Sequence, residues 1–99
     1  MRQETPKYYK QLSRRGEYFD DYDIVLPQTD FTKAPVCVGI IEDHNHLDQW
    51  QKERYWVGWH YTDNVCIDGK PATSAGPFDT EEQAVNFVFF GDIQAAKSA

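Results

Sequence analysis

The chain has 99 residues, of which 40% are hydrophobic, 26% charged and 15% aromatic, and its formal net charge is −6. That length suits one domain with a thin core built from large side chains. The longest apolar runs, residues 36–41 and 87–90, are far shorter than the ~20 residues of a membrane-spanning helix. The acidic balance argues against general binding to nucleic acid, whose phosphates it would repel.

The charge is unevenly placed. Residues 1–15 hold five basic residues, Arg2, Lys7, Lys10, Arg14 and Arg15, against one acid, Glu4, for a net +4. Residues 16–99 hold five basic residues against fifteen acids, for a net −10. A basic arm on an acidic body points to partners selected by charge. The first thirty residues contain no apolar h-region of a secretory signal, so the expected compartment is the cytoplasm, with Cys37 and Cys66 as reduced, buried thiols rather than a disulfide.

In chain order, residues 1–15 read as an arm, either extended or forming a short helix over residues 7–12 that Pro6 opens. Residues 16–99 read as a single acidic domain. After Gly16 comes an acidic, aromatic stretch of Glu17, Tyr18, Phe19, Asp20, Asp21, Tyr22 and Asp23. It passes into a short strand at 24–26, stopped by Pro27. Residues 27–35, bracketed by prolines, are loop. Residues 36–42 form the clearest buried strand, apolar on both faces, and 43–53 form a polar connection. Residues 55–61 are the next strand, with Tyr55, Val57, Trp59 and Tyr61 on one face and Trp56, Gly58 and His60 on the other. A turn at Asp63 and Asn64, a short strand at 65–67 and a hairpin turn at Asp68 and Gly69 lead to an edge strand at 70–75, marked by Pro71.

Gly76 and Pro77 break the chain ahead of a helix start. Thr80 with Gln83, or Asp79 with Glu82, makes a capping box, and Glu81 and Glu82 fall at the positive end of the helix dipole. Ala84, Val85, Val88 and Phe89 form the core stripe, and Gly91 ends or kinks the helix. The predicted fold is α+β, an antiparallel sheet of three to five strands with a C-terminal helix packed on one face. One helix covers one face, so the other is open to a partner. The Val57/Trp59 face is expected to be the covered one, and the Trp56 face, gapped by Gly58, the open one.

No catalytic signature stands out. Glycine-rich phosphate loops and a G-x-S-x-G elbow are absent. The sharpest enzyme-like feature is Asp43, His44, Asn45, His46. Two histidines at i and i+2 can converge on a metal, with His60 as the third and Glu42, Asp48 or Asp63 to complete the site. The bland reading, a solvated loop that binds nothing, is preferred, so the metal assignment is none, with His44, His46 and His60 as the candidates to watch. No cofactor is implied. On a helical wheel Phe87 and Phe90 project away from the core stripe, which suits equally a cover formed by the N-terminal segment and a partner or dimer surface.

The phrase Gly76, Pro77, Phe78, Thr80, Glu82, Ala84, following a β-meander, resembles the layout of small phage- and plasmid-encoded inhibitors of the anti-CRISPR and antirestriction type. It covers the C-terminal third. The resemblance implies a small acidic inhibitor without an enzymatic motif and carries no functional residue across.

These features together favour a non-enzymatic protein-binding inhibitor or adaptor, possible in a phage setting, that blocks a basic, nucleic-acid-binding site on a larger protein. The expected contacts are Glu17, Tyr18, Asp20, Asp21, Tyr22, Asp23, Trp56, Phe87 and Phe90, in which acids pair with arginines while rings fill the gaps between them. A metal-dependent enzyme or sensor on the three histidines, and a structural homodimer, are the alternatives.

Overall fold

The computed structural model describes residues 4–47, 53–61 and 72–97. Among them, five strands form one antiparallel sheet in chain order: β1 (Tyr9–Arg15), β2 (Asp20–Val25), β3 (Cys37–His44), β4 (Tyr55–Tyr61) and β5 (Ala72–Phe78). Two helices follow, α1 (Glu81–Phe90) and α2 (Ile93–Lys97). The α+β architecture expected from the sequence is the one observed. The predicted turns and strand over residues 62–71 lie outside the described residues, as do Cys66, Asp48 and Arg2.

Of the two forms expected for the basic segment the extended one is observed in its described part, as a paired edge strand and not a separate arm. Residues 9–15 pair with β2 as an edge strand, Tyr9 opposite Val25 and Leu12 opposite Tyr22. A lone helix of six residues is too short to hold itself together, whereas pairing with β2 satisfies one side of the strand's backbone. Lys10 is then placed to donate to Glu81 of α1 at 2.6 Å, and the Thr5 hydroxyl to the Asn86 side-chain oxygen at 2.5 Å.

Strand β2 begins four residues before its predicted start at Ile24. Its sequence, Asp-Tyr-Asp-Ile over 21–24, is strict polar–apolar alternation, the signature of a sheet with one covered face. Strand β3 likewise runs two residues past Glu42 to His44. Asp43 can enter the sheet because Arg54 clamps its carboxylate with two bonds of 2.9 and 2.5 Å, leaving Asp43 2% exposed.

Helix α1 starts as the Thr80/Gln83 reading predicts: the Thr80 hydroxyl accepts from the Gln83 amide at 3.2 Å, and the Gln83 side chain accepts from the Asp79 amide at 3.1 Å. Gly91 ends the helix. It adopts a left-handed conformation, φ 65°, and its amide donates to the Phe87 carbonyl at 2.8 Å, a helix stop that favours glycine. The next carbonyl, of Val88, accepts from His60 Nδ1 at 2.7 Å, so two carbonyls otherwise left over at the helix end find donors.

The helix lies over the face of Ile24, Ile41, Trp56, Gly58 and His60, opposite to the face expected. The core comprises Ile24, Ile41, Phe78, Ala84, Val85 and Val88, all within 1% of full burial, with Tyr22, Trp56 and Ala75 packed against it. Gly58 is the reason. A side chain there would begin 2.7 Å from the Ala84 carbonyl oxygen, and one at Gly39 would meet Val88 Cγ1 at 2.6 Å. The bare backbone is what admits the helix, and the supposed gap in the open face is the contact point of the covered one. Phe87 is also corrected by this packing. It is 3% exposed, tilted against Phe78 at 6.0 Å and edge-on to His60 at 6.5 Å, so it belongs to the core and is not a contact surface. The N-terminal segment packs instead on Phe89, whose ring centroid lies 6.3 Å from that of Tyr8.

No helix among the described residues is long and apolar enough to cross a membrane.

Candidate functional site: the uncovered sheet face

Successive side chains of a strand alternate between faces. The residues turned away from α1 therefore include Asp21 and Asp23 of β2, Ile40, Glu42 and His44 of β3, and Tyr55, Val57, Trp59 and Tyr61 of β4. The pairings Asp21–Glu42–Val57 and Asp23–Ile40–Trp59 place them in rows across the sheet. All are half-buried by one another, and no helix or strand among the described residues lies over them.

The face is internally ordered. At one end His44 is sandwiched between rings, 4.5 Å from Phe19 and 4.3 Å from Tyr55, both stacked. The Arg14 guanidinium sits 5.7 Å from the Phe19 centroid and 3.4 Å from the Asp21 carboxylate. Glu42 holds two neighbours, with His44 Nε2 at 2.9 Å and Trp59 Nε1, which donates to it, at 2.5 Å. Each stacked pair contributes about 0.5–1.5 kcal/mol beyond its buried area, so the rings are fixed before any partner arrives.

Three carboxylates face outward here, and their partners differ. Asp21 has Arg14 and Glu42 has His44 and Trp59. Among the described residues the Asp23 side chain has no hydrogen bond or ion pair. Burial pushes the Asp23 carboxyl above its ordinary range. Burial does the same to Asp21, opposed by the Arg14 charge and reinforced by that of Glu42.

The structure separates the residues predicted to act together. Asp21 and Asp23 are on the open face. Glu17 and Tyr18 are at the tip of the β1–β2 hairpin, where Tyr18 is 61% exposed. Asp20 is at the same end, accepting from Asn45 at 3.2 Å. Tyr22 and Trp56 are on the helix side, each beneath a cation, Lys10 at 4.5 Å and Arg54 at 5.0 Å. Phe87 is in the core, and Phe90 is half-buried beside Phe89. The candidate metal ligands do not converge: His44 faces away from α1, His60 faces towards it, and His46 is exposed just after β3, edge-on to Tyr18 at 6.4 Å.

Sequence reasoning missed Phe19, Glu42, Trp59 and Tyr61 as members of the open face. The signal lay in the alternation of residues 20–24, which places Asp21 and Asp23 opposite Tyr22 and Ile24. Comparisons with protein-family models, with curated proteins and with solved structures return no match to this chain.

Proposed function

We propose that the protein is a non-enzymatic binding module, an inhibitor or adaptor, that docks the uncovered face of its sheet onto a basic surface of a larger protein such as a nucleic-acid-binding site. The observation that supports this reading is the interleaving on one face of two held rings, Tyr55 stacked on His44 and Trp59 bonded to Glu42, with the carboxylates of Asp21, Asp23 and Glu42. A guanidinium is recognised by this combination, because it stacks on aromatic faces and pairs with carboxylates in the plane of its fork. Preordered rings also reduce the entropic cost of docking. The setting proposed is the cytoplasm.

The alternatives draw less support from the geometry in the forms the sequence suggests. A three-histidine centre would need His44 and His60 on one side of the sheet, and a dimer through Phe87 would need that ring at the surface.

The test uses immobilised protein and an extract of cells in which it is made. The captured proteins should be nucleic-acid binders, and added DNA or RNA should compete with capture. Trp59→Ala should abolish capture, and raising salt from 0.1 to 0.5 M should weaken it, because contacts between exposed charges are screened. Capture that survives both treatments and ignores nucleic acid would overturn the reading.

A further inference from the structure

The 27–35 loop folds back beside the open end of β1 and β2. Its shape is set locally: Asp30 accepts from both the Thr32 amide at 3.0 Å and the Thr32 hydroxyl at 2.6 Å, and the Gln28 side chain donates to the Lys33 carbonyl at 2.9 Å. Phe31 is thereby held outward, 82% exposed, and Tyr9 nearby is 66% exposed. Between them lies a cleft of about 430 Å³ lined by Tyr9, Gln11, Val25, Leu26, Phe31 and Pro35. Its walls are mainly apolar, and its size falls in the range of sites that enclose a ligand group.

The cleft is continuous with the docking face. Gln11 lines it and pairs across the sheet with Asp23, while Tyr9 pairs with Val25. Asp23 and Val25 are alternate residues of one strand and share a face, separated by about 7 Å along the strand direction. The apolar cleft therefore adjoins Asp23, an outward carboxylate of β2 for which the described residues supply no partner.

We propose that the cleft and Asp23 form a two-point subsite for an extended segment of a protein partner, taking an arginine on Asp23 and, two residues away, a large apolar side chain in the cleft. The spacing follows from the partner's own geometry. An extended chain places alternate side chains on one side at the same ~7 Å repeat, so the pair fits at i and i+2 and not at i and i+1. Arginine is the cation of choice because Ile40 and Trp59 continue the Asp23 row across the sheet, offering the guanidinium apolar and aromatic surface beside the carboxylate. A phosphate-bearing or acidic ligand is disfavoured by the charge at Asp23.

This rests on the reading of the face as a docking surface, and the experiment separates the two. The probe is a capped hexapeptide with one arginine and, two positions on, one leucine, titrated into the full chain while its amide resonances are followed by NMR. Shifts should centre on Gln11, Asp23, Val25 and Phe31. Asp23→Asn should weaken binding about tenfold, the loss expected for one charge-assisted hydrogen bond. Phe31→Ala, at a side chain too exposed to matter for folding, should weaken it too. Peptides with glutamate for arginine, or with leucine moved next to the arginine, should bind markedly less. No binding, equal binding of the shifted peptide, or indifference to both variants overturns the subsite. Capture of a cellular partner that needs Trp59 but not Asp23 or Phe31 would leave the docking face standing and remove the subsite. Specific peptide binding, alongside capture indifferent to Trp59, would do the reverse.

Discussion

Trp56 and Trp59 share β4 and face opposite sides of the sheet, and they should fail differently. Trp56 packs against the core under Arg54, so Trp56→Ala should cost about 3 kcal/mol, at the low end for a large ring because it is only half-buried. Trp59→Ala removes one hydrogen bond and surface contacts, about 1 kcal/mol, and should spare the fold while losing partner capture. Thermal melts of the two variants check the order, and a Trp59→Ala protein that melts below Trp56→Ala would invert it. The acids of the open face carry a second expectation. Asp21 and Asp23 are held above their ordinary carboxyl range, so their ionisation opposes folding. That cost is full above the raised folded values and disappears as pH falls towards the unfolded ones. Asp30 acts oppositely: hydrogen bonds from Thr32 hold its carboxyl low, and its contribution is lost only at still lower pH. Asp23→Asn should therefore raise the melting temperature at pH 7, and its advantage over the wild type should shrink as pH falls towards the ordinary carboxyl value of 3.8. A lower melting temperature for the variant at pH 7 would mean that the carboxylate is stabilising.

At the scale of elements, the packing of α1 depends on absent side chains. Gly58→Ala would place a methyl group against the Ala84 carbonyl, and relieving that clash requires α1 to shift. Overpacking of this kind costs about 1–3 kcal/mol, and hydrogen exchange should show it as faster opening of α1 relative to the wild type. If α1 exchange is unchanged, the close approach is not what seats the helix. The same glycine shows why the elements were legible and their assembly was not. The bounds of β4 and the Thr80 cap depend on local alternation and on a side chain reaching its own helix, and both are written in neighbouring residues. Which face of β4 meets the helix depends on backbone clearance between segments 26 residues apart, Gly58 and Ala84. In one dimension a missing side chain reads equally as a hole or as a seat. Phe87 was misplaced for a related reason. A wheel assumes one flat contact, but α1 is bounded by the sheet and by α2, and its buried arc includes Ala84, Val85, Asn86, Phe87 and Val88. Strand β1 was legible as an extended segment but not as an edge of the sheet, because that position is decided by β2 and by Glu81, not by its own propensity.

For the molecule as a whole, each strand of the described sheet pairs with its sequence neighbours, so the sheet can assemble hairpin by hairpin from local contacts. Closure of the core is the non-local step. Ties from Thr5 to Asn86, Lys10 to Glu81 and Tyr8 to Phe89 join the beginning of the described chain to α1. This has a consequence during synthesis. The apolar face of Ile24 and Ile41 can leave the ribosome as soon as β3 has formed, but the helix that shields it is encoded near the other end. At roughly 5–20 residues per second, several seconds of translation separate the two. Throughout that interval a sticky, half-made sheet is exposed to chaperones and to neighbouring nascent chains. Ribosome-bound chains arrested before Thr80 should be cut readily by protease, and chains long enough to release Lys97 from the exit tunnel should resist. Similar resistance at both lengths would mean that the meander shelters its own apolar side before the last helix arrives.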